Sequence, residues 1–270
     1  MTLETVRVEG YECARLDDGN SALTITVSTG PRVLELRARG ENLLALVPDA
    51  TVPVSGGGRL RLLGGHRLWV APEVPAITYQ PDDRPCQAIE VEDGVRVTAP
   101  PDGAGLTKSL EVRRAADGWN VDHEIRNDSH EAMELAPWAV TMLRPGGEAV
   151  LAAAAGGEGL QADRAIVLWP YTDPADARVS IERDALRVRC APGPTLKLGV
   201  ASLDGRATYS LNGETFEKRT VVERGARYAD RGAAVQLYVS DAFCEVETLG
   251  PLATVEPGGA VAHRERWRLW

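Results

Sequence analysis

Apolar and polar residues alternate with a period of two along most of this chain, a pattern that strands satisfy and helices do not. Leu23-Thr24-Ile25-Thr26-Val27 alternates, as do Val33 to Arg37, Ile89 to Glu92, Val95 to Val97, Leu106 to Arg113 and Trp119 to Arg126. The same rhythm returns at Val179 to Glu182, Leu186 to Cys190, Leu196 to Val200, Val235 to Val239 and Val261 to Leu269. Asp17-Asp18-Gly19-Asn20, Glu92-Asp93-Gly94, Ala116-Asp117-Gly118, Leu203-Asp204-Gly205 and Leu211-Asn212-Gly213 stand between such segments. Asp-Gly and Asn-Gly supply the positive φ that tight hairpins need. About fifteen short strands joined by hairpins predict an all-β fold, a large antiparallel β-sandwich. No amphipathic helix is predicted. The small-residue run Leu151 to Gly159 reads as a loop because of its glycines, and Gly56-Gly57-Gly58 as a flexible turn. No linker or repeat divides the chain, so 1–270 reads as one domain, long enough to bury its own core.

Several function classes are excluded. Net charge is −9 with no Lys/Arg run, whereas nucleic acid needs a basic face. No secretory signal is read at Met1 to Gly10, and no stretch reaches the roughly 18 to 20 apolar residues of a membrane span. Cys13, Cys86, Cys190 and Cys244 are far apart, which argues against a zinc knot or a disulfide framework and makes a reducing cytoplasm the expected location. Phosphate, dinucleotide, zincin and serine-hydrolase motifs are all missing. Neither a metal nor a cofactor is expected, and the sequence leaves the oligomeric state open.

Two clusters of polar residues stand out. In Gly64-Gly65-His66-Arg67-Leu68-Trp69-Val70-Ala71-Pro72-Glu73, imidazole, guanidinium, indole and carboxylate crowd together after two glycines, which reads as a ligand-facing edge. In Asp241 to Pro251, an extended chain turns Phe243, Glu245 and Glu247 one way and Cys244 and Val246 the other. Carboxylates two apart on a strand face lie about 7 Å from each other, close enough for one to hold its proton. Lys197 leaves the apolar face of its strand, and Lys218, Asp230 and the aromatic loop Trp169-Pro170-Tyr171 follow as further polar or stacking candidates. Six tryptophans against two phenylalanines suit stacking on a pyranose as well as core packing. His123 and His263 share faces with apolar residues and read as hydrogen-bonded core histidines, whereas His130 reads as exposed.

At Gly65 to Trp69, Trp169 to Asp173, Lys197-Leu198-Gly199 and Glu245 to Val255, the sequence resembles an uncharacterised bacterial branch of the galactose mutarotase-like superfamily. Glu247 to Leu252 and the ending Glu265 to Leu269 are its most specific parts, and the resemblance runs from about residue 20 to the end. It implies a β-supersandwich with a carbohydrate cleft on a concave sheet. Aldose 1-epimerases of that superfamily use a glutamate base and a histidine acid. Glu247 resembles the base, with Glu245 as a near rival. The stretch comparable to the acid's position, Glu134 to Val140, holds Trp138 but no histidine. His66 and Arg67 resemble the substrate-binding histidine and arginine.

The expected partner is therefore a small-molecule sugar. One reading is a carbohydrate-binding enzyme of aldose 1-epimerase type, with Glu247 as base and His66 or Lys197 as acid. Arg67, Trp69, Glu73, Trp138, Trp169, Lys197, Lys218, Asp230 and Glu245 would hold the substrate. The alternative is a non-catalytic carbohydrate-recognition module. A lyase or hydrolase pairing Glu73 with Glu247, and a purely structural domain, remain further readings.

Overall fold

The computed structural model describes residues 3–38, 40–153, 160 and 162–270. Among them an eleven-stranded and a ten-stranded sheet face each other, with every strand pair antiparallel, and a two-stranded hairpin, Leu46–Pro53 with Arg59–Gly64, stands apart from both. The only helices among the described residues are the four-residue Pro75–Thr78 and Ala229–Gly232. No helix of the described residues is long and apolar enough to cross a membrane. Gly56, Gly57 and Gly58 lie at positive φ in the turn of the separate hairpin. Leu151 and Ala152 end the strand Glu148–Ala152, and the rest of the run expected as a loop lies, from 154 to 159, outside the described residues.

The centre of the larger sheet carries the strands that matter below. His66–Ala71, Met133–Leu143, Cys244–Leu249, Val235–Val239 and Leu196–Ala201 lie side by side in that order. Strands Glu214–Val221, Ala260–Leu269 and Gly118–Asn127 are likewise neighbours in the second sheet. Alternation sorts each strand's residues between the two faces. Leu68 and Val70, Val246, Leu237 and Leu198 turn inward and join Val121, Phe216 and Trp267 of the facing sheet in one apolar core. Each fully buried aliphatic side chain of this kind contributes roughly 1.5–3 kcal/mol. Trp119 and Trp267 are cross-strand partners with no exposed surface, and their indole N–H groups donate to Ser21 Oγ and Glu265 Oε2.

The glycine pair before His66 has a packing cause. Gly64 and Gly65 take φ of 87° and 71°, and a Cβ on either would stand 2.1 Å from the carbonyl oxygen of Ala45 or Val33. Two neighbouring backbones, rather than a ligand, require the missing side chains.

Candidate active site

The outward faces of the five central strands, together with loops over them, form a cleft of about 190 Å³. That is smaller than the roughly 300–1,000 Å³ of drug-sized sites and suits one sugar ring better than a chain. Trp69, Trp138, Lys197, Tyr238 and Glu245 form its floor and walls, with Glu73, Tyr79 and Tyr171 on loops and Leu62 from the separate hairpin. Trp69 stands edge-on to Trp138 at 5.4 Å and to Tyr79 at 5.3 Å between ring centroids. Indole and phenol rings in this arrangement offer apolar faces with polar rims.

Glu245 and Glu247 share the outward face of Cys244–Leu249, because one residue separates them on a strand. Glu247 is fully buried. Its Oε2 accepts from Trp138 Nε1 at 2.7 Å and from Lys197 Nζ at 2.9 Å, while its Oε1 has no partner in the protein. The Lys197 ammonium also lies over the rings of Trp138, at 4.5 Å, and Trp169, at 4.9 Å. Burial acts to lower the Lys197 pKa, but Glu247 beside it more than offsets this and holds the ammonium above its ordinary value. Glu245 is 8 % exposed. Burial, then the charge of Glu247, push its carboxyl up to about 8, against the pull of Arg67 and Lys197. At neutral pH Glu245 therefore keeps its proton, beside Glu247, whose Oε1 has no partner in the protein.

Arg67 lies in the same outward phase as Trp69, with its guanidinium 4.9 Å from that ring. One nitrogen, Nη2, donates to Leu62 O, while Nε and Nη1 have no oxygen or nitrogen partner. Burial, then Arg32, lower its pKa to about 9. Glu73 accepts from the Tyr79 hydroxyl at the rim.

Arg67, Trp69, Glu73, Trp138, Lys197, Glu245 and Glu247 thus meet in or beside one hollow, and Trp169 borders it through Lys197. His66 does not. It shares the inward phase of Leu68 and Val70 and is fully buried between the sheets, so the expectation that it serves Glu247 as acid is corrected by alternation itself. Lys218 is likewise in the interior and cannot touch a ligand in the cleft. Asp230 acts at one remove: it accepts from Gln236 Nε2 at 2.8 Å, and Gln236 is the register partner of Glu247.

Inside, His66 and Lys218 belong to a separate polar cluster. His123 Nδ1 donates to the His263 carbonyl oxygen at 3.0 Å, which leaves its Nε2 to accept from His66 Nε2–H at 2.8 Å. His66 Nδ1 then accepts from the Thr141 hydroxyl at 2.9 Å. Burial first, then Lys218, hold His66 well below the ordinary imidazole value; burial holds His123 down to about 4. Donor atoms of His66, His123 and Glu265 lie within 4.8 Å of one another, near enough to surround an ion. The Lys218 ammonium, 3.0 Å from Glu265 Oε1, already places a cation against that carboxylate, which is held well below its usual range despite burial.

Tyr79, Tyr238 and Gln236 were not among the expected site residues, and Tyr171 entered only as part of an aromatic loop. Gln236 and Tyr238 occupy the polar phase of Val235–Val239 and could have been read from it. Tyr79 and Tyr171 come from loops whose path no periodicity predicts.

No protein-family model and no curated protein sequence matches the chain. Solved structures do. A candidate aldose 1-epimerase from Escherichia coli K12 aligns over 96 % of this chain and 98 % of its own, with a TM-score of 0.55 and 15 % identity. One from Klebsiella pneumoniae subsp. pneumoniae MGH 78578 aligns over 97 % and 80 %, at 0.61 and 11 %. A galactose mutarotase-like protein from Clostridium acetobutylicum aligns over 100 % and 98 %, at 0.58 and 10 %. Identities this low establish architecture alone. The chain has the galactose mutarotase-like fold.

Proposed function

We propose that this protein binds a monosaccharide in the outward cleft and interconverts its anomers by general acid/base chemistry of the aldose 1-epimerase type. The observation that carries the reading is the acidic pair: a carboxylate anchored through one oxygen and unpartnered at the other, beside a carboxyl that keeps its proton at neutral pH. Glu247 Oε1 takes the proton of the anomeric hydroxyl. Glu245 gives its proton to the ring oxygen as the bond from C1 to that oxygen breaks, leaving the open-chain aldehyde. Rotation about C1–C2 and the reverse transfers close the ring as the other anomer. A group near pH 8 is a better acid here than Lys197, whose ammonium Glu247 stabilises. Trp69 and Trp138 would stack on the ring's C–H faces. The fold shared with candidate aldose 1-epimerases supports the same reading.

Polarimetry on freshly dissolved glucose and galactose tests it. The wild type should speed mutarotation above the buffer rate, and Glu247→Gln should slow it by about 10²–10⁴-fold, the usual range for a general base. A wild type no faster than buffer, or a mutant as fast as wild type, refutes the proposal. Binding without turnover would instead identify a recognition module.

A further inference from the structure

Lys218 stands on the Glu214–Val221 strand of the second sheet, yet its ammonium ends against the backbone of the first. It is fully buried. Nζ donates to the carbonyl oxygens of Ala139, at 2.9 Å, and Val246, at 3.2 Å, and to Thr141 Oγ1 at 2.9 Å, with Glu265 Oε1 at 3.0 Å. Val246 is the residue between Glu245 and Glu247, and Ala139 follows Trp138, whose indole holds Glu247. One ammonium therefore grips the strand of the acidic pair and the neighbouring strand of Trp138, from the side opposite the cleft.

We infer that Lys218 is a positioning residue for the acidic pair: it fixes the backbone between Glu245 and Glu247 and sets a positive charge beneath them. This goes beyond the sugar reading, since it concerns the pair whatever the cleft binds. Burying an ammonium costs several kcal/mol of desolvation, and an apolar side chain of similar length would fill the same space. Glu265 offsets the charge, but from behind: it meets Thr248, Trp267 and Lys218, whereas Lys218 itself meets Val246. On the cleft side the pair faces Arg67, Lys197 and Glu73, with the phenols Tyr171 and Tyr238. On the inner side the imidazoles of His66 and His123 are neutral at pH 7, His263 stands 3.7 Å from Glu265 Oε1 and hydrogen-bonds Thr248, and Lys218 and Glu265 face each other at 3.0 Å.

The indole N–H of Trp138 reports on Glu247 and needs no ligand. Its resonance, assigned through Trp138→Phe, should move as the pair takes up a proton. In Lys218→Met the midpoint of that transition should rise by about one pH unit, a tenfold gain in proton affinity. Lys218→Arg, which keeps the charge, should restore the wild-type midpoint. The double variant Lys218→Met/Glu265→Gln leaves no orphaned charge, and it should show a smaller rise in the same direction. A folded Lys218→Met or double variant whose midpoint stays within about 0.2 unit of wild type overturns the inference, as does a rise that Lys218→Arg fails to reverse. If neither charge-removing variant folds, Lys218 serves the fold rather than the pair, and the inference falls. Failure of the mutarotation assay would leave the result of this one unaffected.

Discussion

The two faces of the central sheet carry polar clusters of similar size and opposite character. Inside, His66, His123, His263, Lys218 and Glu265 are buried among apolar side chains, and none of their fully shielded side-chain nitrogen or oxygen atoms lacks a partner in the protein. Outside, Glu247 Oε1, Gln236 Oε1 and two nitrogens of Arg67 are equally shielded and have no nitrogen or oxygen partner in the protein. An unpartnered buried polar group costs about 1–3 kcal/mol, so a fold tolerates several together only where something else meets them. The inner cluster is thus a finished structural joint, and the outer one is arranged for a ligand or its water. Burial alone does not separate them; completeness of hydrogen bonding does.

The sharpest way to break this contrast is to remove one carboxylate from each side. Glu265→Gln strands the Lys218 ammonium in a dry interior, and denaturant unfolding should show a loss of about 3–5 kcal/mol. Glu247→Gln also removes a lysine's partner, but Glu245, two residues away, can release its proton and face Lys197 in its place. That variant should lose less than about 2 kcal/mol. Equal losses would mean that the outer pair is as structural as the inner one.

Acid should expose the inner cluster next. Unfolded imidazoles take up protons near 6.5, whereas His123 does so only at about 4 and His66 well below its ordinary value. The unfolded state therefore binds more protons as pH falls through this window, and stability falls with it. Unfolding free energy should drop by on the order of 3 kcal/mol between pH 6.5 and 4. Imidazole resonances of His66 and His123 that titrate above pH 6 in the folded protein would contradict the neutral network.

Much of this division was present in the sequence. The period-two alternation predicted the sheets, and it put Glu245 and Glu247 on one face. The same rule, applied to His66-Arg67-Leu68-Trp69-Val70, places His66 with the apolar residues and Arg67 with Trp69. Local crowding of polar groups after Gly64-Gly65 outweighed that phase and suggested one joint site. Lys218 lies in phase with Phe216 and Thr220 for the same reason. What alternation could not supply was the neighbour across each ladder. Trp138 and Glu247 are 109 residues apart, and only the pairing of Met133–Leu143 with Cys244–Leu249 brings the indole to the carboxylate. Nor could it place Tyr79 and Tyr171, which loops deliver.

The smallest expected effect tests the outer face alone and has the opposite sign in pH. Glu245 keeps its proton up to about 8 when folded, against an ordinary value of 4.5. Above 4.5 the folded state therefore binds the extra proton, and this group's contribution to stability falls as pH rises toward 8. Below 6.5 the histidines dominate and stability climbs with pH; above 6.5 the unfolded imidazoles lose their remaining protons, and the decline due to Glu245 prevails. Stability should peak near pH 6.5 and fall by about 1 kcal/mol by pH 8. Glu245→Gln has no proton to lose and should flatten that alkaline limb while leaving the acid limb in place. If instead the mutant keeps the wild-type decline, the proton assigned to Glu245 resides on another group, and the acid in the proposed ring opening must be sought elsewhere along the cleft.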